Sequence, residues 1–155
     1  MIEFKQATSK AQITTVRSLF LEYAKWLNYR TCFEEFEKEL DSLPGDYAPP
    51  EGCLLMAFYE DLPAGCVALR KVEDGVCEMR RLWVREKFRG KNVGWNLAEE
   101  IIKEAKKMGY TKMLLETIPL MERAISIYQI LGFVKTAVKK SGDDDVIHME
   151  LSLEN

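Results

Sequence analysis

The stretch Leu82-Trp-Val-Arg-Glu-Lys-Phe-Arg-Gly-Lys-Asn-Val-Gly-Trp-Asn-Leu97 passes from an apolar strand end, through a basic turn containing glycine, into an amphipathic helix. At the first turn of a helix several main-chain N–H groups lack intrahelical partners, and the helix dipole adds positive potential, so the position suits a phosphate. Gly90 and Gly94 let the backbone approach an anion closely, and Arg89 and Lys91 add charge. An ordinary surface loop before a helix would share these features. Competing phosphate motifs fit poorly: Lys91 is not followed by Ser or Thr as a P-loop requires, and the G-x-G-x-x-G fingerprint is absent.

Outward from this stretch, the pattern predicts a short extended start at Ile2, Phe4 and Gln6. A helix follows, capped by Thr8 or Ser9, with Ile13, Val16, Phe20, Tyr23 and Leu27 at helical spacing. Residues 34–43 form a second, more charged helical stretch, and the Pro- and Gly-rich segment 43–52 is a loop. Residues 53–59, 64–71 and 76–84 are β-rich runs separated by short turns, which suggests an antiparallel meander. Beyond it come a helix over 92–107, a strand over 113–116, a helix over 121–131 and a closing strand pair, 133–138 with 146–153. The order is βααβββαβαββ, with no repeat, low-complexity tract or linker, so residues 1–155 are expected to form one domain.

A second motif lies in Met121-Glu-Arg-Ala-Ile-Ser-Ile-Tyr-Gln-Ile-Leu-Gly-Phe133. Ala124, Ile127, Tyr128 and Leu131 also have plain amphipathic spacing, and Gly132 is a common helix C-terminal signal. Together with Arg89-Gly90-Lys91-Asn92-Val93-Gly94, however, it resembles the paired motifs of the GCN5-related N-acetyltransferases, the GNAT superfamily. That family's pyrophosphate loop reads Arg/Gln-x-x-Gly-x-Gly/Ala, and its later helix reads Asn-x-x-Ala-x-x-Leu-Tyr-x-x-x-Gly-Phe. The chain departs at Asn92, where glycine is usual, at Glu86, where proline is frequent, and at Met121, in the asparagine position. Asparagine is the non-glycine residue that best tolerates positive φ, so the turn can form. The resemblance covers nearly the whole chain and implies an α+β acyl-CoA N-acyltransferase fold: a central, mostly antiparallel mixed sheet flanked by helices.

It further implies a small single-domain N-acetyltransferase that moves the acetyl group of acetyl-CoA to a primary amine of a small molecule or peptide. A GNAT-fold acyl-CoA-binding or sensor module without turnover is the alternative. By resemblance, Leu82, Trp83 and Val84 splay from the strand 113–116 and bind the pantetheine arm, while Arg89, Gly90, Lys91, Asn92, Val93, Gly94 and Trp95 hold the pyrophosphate. Tyr128 is the expected acid for the coenzyme A thiolate. An ammonium must lose its proton before attack, and Glu78 is preferred over Glu116 as the base. Glu78 could instead pair with Arg80: the pleat places Glu78, Arg80 and Leu82 on one face and Cys77, Met79 and Arg81 on the other, barring a bulge. His148 reads as a structural residue, and the Asp143-Asp144-Asp145 run as a solvated turn. The acceptor is expected between residues 26–33 and 139–145, with Trp26, Tyr29 and Phe33 as an aromatic wall.

Bulk properties agree. At 155 residues, 47% hydrophobic and 30% charged, the chain can bury a full core. A net charge of −3 gives no global attraction to nucleic acid or anionic lipid. Cys32, Cys53, Cys66 and Cys77 form no C-x-x-C pair, and with one histidine no metal site is expected; they read as reduced core residues. No apolar run reaches the roughly 18 residues of a membrane span. With no signal-like start, a cytoplasmic protein, monomer or homodimer, is expected.

Overall fold

The computed structural model describes residues 1–27, 33–142 and 144–154, with the side chains of residues 33 and 34 outside the described set. Its elements follow the expected order: β1 (Ile2–Gln6), α1 (Lys10–Trp26), α2 (Phe33–Ser42), β2 (Cys53–Tyr59), β3 (Leu62–Glu73), β4 (Val76–Val84), α3 (Val93–Lys107), β5 (Lys112–Thr117), α4 (Glu122–Leu131), β6 (Val134–Ser141) and β7 (Asp144–Ser152). Short 3-10 turns at Gly45–Tyr47 and Glu86–Phe88 interrupt two of the loops.

Local chemistry starts and stops the helices. Ser9 caps α1: its hydroxyl accepts from Gln12 N at 3.2 Å while Gln12 Oε1 accepts from Ser9 N at 3.0 Å, a reciprocal capping box. Gly132, at φ +107°, closes α4 in the left-handed conformation that the sequence anticipated. Asn92 adopts φ +64° immediately before α3, the role that its asparagine side chain allows.

Seven strands form one sheet in the order β1-β2-β3-β4-β5-β7-β6, antiparallel throughout except for β4 against β5. That parallel pair is joined through α3, as a parallel crossover requires. The apolar run Cys53–Tyr59 is buried on both faces, so its alternate residues enter two cores. Cys53, Leu55 and Ala57 join Leu97, Ala98 and Ile101 of α3 on one face. Leu54 and Met56 join Val16, Leu19 and Phe20 of α1 on the other. Burying such side chains is the main favourable contribution to folding, at about 1.5–3 kcal/mol each. Cys53, Cys66 and Cys77 are free and buried, as expected of reduced core thiols; Cys32 lies outside the described residues. No helix among the described residues is long and apolar enough to cross a membrane.

One strand departs from simple alternation. Arg81 in β4 has φ +59°, and the β3–β4 register shifts between Cys66 and Ala68. This bulge moves Leu82 into the core with Cys77 and Met79, and turns Trp83 toward α1. The face assignment that put Leu82 with Glu78 and Arg80 is thereby corrected. Left-handed backbone at an arginine is unfavourable, and Glu39 of α2 holds it in place. Glu39 accepts from Arg81 Nε and Nη2, both at 2.8 Å, and from Arg80 Nη1 at 3.2 Å. The Arg81 guanidinium also lies 5.2 Å from the Phe36 ring centre.

Burial alone would raise the Glu39 carboxyl, but the hydrogen bonds and charge of Arg81, with the charge of Arg80, outweigh it and hold the pKa below the ordinary 4.5. A carboxylate whose folded pKa is depressed stabilises fully above its unfolded pKa and loses that contribution as pH falls through the folded one. Glu39→Ala, which leaves two guanidiniums uncompensated, should cost about 3 kcal/mol in chemical denaturation. Glu39→Gln should weaken the dependence of wild-type stability on pH below 4.5. Gly65 sits where a Cβ would collide with the main-chain oxygen of Trp83. Gly65→Ala should therefore lower stability by about 1–3 kcal/mol, read from the denaturation midpoint.

Candidate active site

β4 and β5 pair only at Val76 with Lys112, Cys77 with Met113 and Glu78 with Leu114. Both strands continue, β4 to Val84 and β5 to Thr117, so a wedge opens in the sheet beyond Glu78. Leu82 and Trp83 are buried, each 7% exposed, in opposite cores. Towards the wedge, what they can offer a ligand is main chain. The other edge of β4 stays paired with β3, Cys66 opposite Trp83 and Gly65 opposite Val84.

The wedge leads to the start of α3. The main-chain N–H groups from Gly90 to Trp95 donate to no protein acceptor among the described residues. Gly90 has φ +83°, with nothing within 4 Å of where a Cβ would stand. These open donors and this open space fit the pyrophosphate expected there. Lys91 is exposed, its Nζ 5.2 Å from the Tyr59 ring centre. Arg89 is more committed than its sequence suggested. Its guanidinium stands 4.9 Å from the Trp83 ring centre and 5.6 Å from that of Trp26, and its Nε donates to Val84 O at 3.2 Å. It braces the loop against the strand end.

Tyr128 of α4 is buried, its ring edge-on to Phe133 at 5.7 Å. Burial pushes its phenol far above the usual range, with a smaller upward push from neighbouring Tyr23. Its hydroxyl donates to no protein acceptor among the described residues. Tyr23, stacked on Trp83 at 5.4 Å, is itself raised by burial, against the opposing charges of Arg81 and Arg80.

On the side of the sheet covered by α1 and α2 lies a cavity of about 820 Å³. Glu78, Arg80 and Arg81 of β4, Arg70 of β3, Tyr23 of α1 and Glu39 of α2 form its inner part. Glu78 is only 7% exposed, and the pairing with Arg80 that the sequence allowed is present but secondary. Its principal partner is Arg70, directly opposite on β3, whose Nε and Nη2 both reach Glu78 Oε1 at 2.8 Å. Arg80 Nε is 3.9 Å from the same oxygen. Glu78 Oε2 has no protein partner among the described residues. Glu116, with a side chain 52% exposed, also lines the cavity, and it stands 3.8 Å from His148 Nε2 across the β5–β7 pair.

This cavity lies close to where the acceptor was expected, with different walls. Ser141 and Asp144 of the closing hairpin line the cavity, but Trp26 does not, because it is drawn into the cluster with Trp83 and Arg89. Tyr29 and the Phe33 side chain lie outside the described residues, as does Asp143. The segment Pro44–Tyr47 unexpectedly closes one side. Arg70, Glu39, Tyr23 and Tyr47 were missed. The one available signal was the charge of Arg70 directly at the end of the apolar run 64–69 of a central strand, and Lys71 beside it blurs that signal. No cluster of potential metal ligands occurs among the described residues.

A sequence model described as Acetyltransferase (GNAT) family matches residues 14–133. An uncharacterised N-acetyltransferase of Schizosaccharomyces pombe is 36% identical over 77% of this chain and 75% of its own length. The human N-acetylaspartate synthetase is 31% identical over 55% of this chain, which spans only 28% of that protein. A crystal structure of a GNAT-family acetyltransferase from Staphylococcus aureus Mu50 superposes with a TM-score of 0.83, covering 99% of this chain and 100% of the other at 16% identity. The wedge between β4 and β5, the open amides before α3 and the family match over most of the chain lead to one conclusion: this chain belongs to the GNAT family and is an acetyl-CoA-dependent N-acetyltransferase.

Proposed function

We propose that the chain acetylates a primary amine of a small molecule or peptide by direct attack of that amine on acetyl-CoA, with the acceptor entering from the cavity and the donor from the opposite end of the wedge. The observation that carries this reading is the unpaired edge of β4 beyond Glu78: Leu82 on that stretch shares a core cluster with Tyr128, and Glu78 at its start lines the cavity with one carboxylate oxygen free. Relatives named for N-acetylaspartate support an acceptor as small as an amino acid.

In this reading the amides from Gly90 to Trp95, with Lys91, hold the pyrophosphate, and the open edge at Leu82, Trp83 and Val84 holds the pantetheine arm. Acetyl-CoA supplies a thioester whose carbonyl carbon the amine attacks and whose C–S bond then breaks. An unpaired N–H on the β4 edge polarises the carbonyl oxygen. Glu78, through Oε2 or one water, takes the proton that the amine gives up. Tyr128 gives a proton to the departing sulfur and regains one from solvent. Its raised pKa keeps the phenol protonated through the neutral range, as an acid needs. Glu116, nearer the mouth and more exposed, is the second candidate base.

Tyr128→Phe should lower kcat by about 100-fold while leaving acetyl-CoA affinity nearly unchanged, measured by free-thiol release and by calorimetry. Equal losses in both would mark Tyr128 as a packing residue. Glu78→Gln should cut kcat by a similar factor, about 100-fold, with acetyl-CoA affinity nearly unchanged. If Glu116→Gln does this instead, the base assignment passes to Glu116.

A further inference from the structure

We infer that the acceptor amine carries a carboxylate, held by the free guanidinium nitrogens of Arg80 and Arg70, so that the substrate class is amino acids rather than polyamines or simple alkylamines. This rests on the amine-transfer reading above and concerns the same cavity.

The cavity brings together three guanidiniums, from Arg70, Arg80 and Arg81, and two carboxylates, the buried Glu78 and the half-buried Glu39. Arg81 spends Nε and Nη2 on its fork with Glu39 and its side chain is only 11% exposed, so the positive charge that a ligand can reach falls mainly to the other two. Arg80 uses Nη1 for Glu39 at 3.2 Å and for the Tyr47 hydroxyl at 3.1 Å. Its Nε is beyond hydrogen-bond reach of Glu78, and its Nη2 has no protein partner. Arg70 uses Nε and Nη2 on Glu78 and leaves Nη1 free. No buried side-chain nitrogen or oxygen lacks a partner among the described residues, so these free nitrogens are accessible, on residues that line the cavity. A guanidinium edge with one face already braced is pre-organised for a carboxylate.

The mouth has the opposite character. Among the exposed lining residues, Glu35, Asp46 and Glu116 outnumber Lys38, which suits an ammonium and disfavours an anion held further out. An amino acid matches the inner groups, with its carboxylate on the free nitrogens of Arg80 and Arg70 and its ammonium beside Glu78 Oε2, and it passes the acidic outer residues as a cation. A polyamine would meet the inner guanidiniums with like charge. The same nitrogens could hold an α-carboxylate or a side-chain carboxylate.

The test is thiol release from acetyl-CoA with four acceptor sets: free amino acids, their carboxamides, the decarboxylated amines, and α-amides of Asp and Glu that keep only the side-chain carboxylate. Acids should exceed the matching amides and amines in kcat/KM by roughly 10- to 100-fold. The fourth set identifies which carboxylate is held. Arg80→Gln should collapse the acid-to-amide ratio towards one while the acetyl-CoA KM stays nearly constant, a change that loss of folded protein would not produce. Arg80→Lys, which keeps the charge and loses the fork, should restore part of the ratio. Amides or amines turning over as well as acids, or a ratio unchanged in both Arg80 variants, would overturn the inference and leave the amine-transfer reading standing. Acetyl-CoA binding without thiol release from any acceptor would overturn that reading, and this inference with it.

Discussion

The structure turns on the failure of β4 to remain paired with β5 beyond Glu78. A parallel sheet ordinarily continues its ladder for as long as both strands run, since each unpaired N–H or C=O has a cost when buried. Here β4 bends at Arg81, whose left-handed backbone no regular strand accommodates, and the two strands diverge. The exposed edge of β4 therefore stands as a line of main-chain groups in the middle of the sheet. The same bend redirects Leu82 and Trp83 into separate cores, which anchors the strand on both faces and keeps the wedge from closing.

A strained arginine in a central strand persists only if its surroundings over-determine it. Glu39 supplies that restraint through its fork to Arg81 and its bond to Arg80, and Phe36 on the same helix faces the guanidinium. One helix thus fixes the bend that opens the wedge and also closes one wall of the acceptor cavity. A second ion pair, Glu22 with Arg85 at 2.8 Å, ties α1 to the end of the same strand, and Glu22 also accepts from the Trp83 indole at 3.4 Å. Both helices on this face are consequently coupled to β4 through charged groups as well as through the core, and the geometry of donor and acceptor sites is set together.

The turn before α3 was legible in the sequence because it is written in local, main-chain terms. Asn92 at positive φ, Gly90 with open space and the helix start at Val93 are properties of a few consecutive residues. The element order was legible for the same reason, since Cys53–Tyr59 and Val76–Val84 carry their strand character in their own composition. The acceptor half was not. Arg70, Glu39 and Tyr23 meet only because β3, α2 and α1 pack at a distance in sequence, and each reads locally as a solvated or core position. Trp26 misled for a related reason. An exposed aromatic near the acceptor region is equally available to a neighbouring cation, and Arg89 claims it.

This division between main chain and side chain has a consequence for how the site can vary. Donor binding needs a bend, a free strand edge and unpaired amides, none of which depends on a particular side chain projecting into the ligand. In the reading proposed above, acceptor choice rests instead on side chains such as Arg70, Arg80 and Tyr47 that line the cavity. Of these, Arg70 takes no part in the clamp on the bend: its partner is Glu78, and its Nη1 stays free. Arg81 cannot be exchanged so freely, because its fork to Glu39 sustains the backbone that both substrates use. Substitution at position 70 should change which amine is accepted before it changes the handling of acetyl-CoA, whereas substitution at 81 should damage both at once.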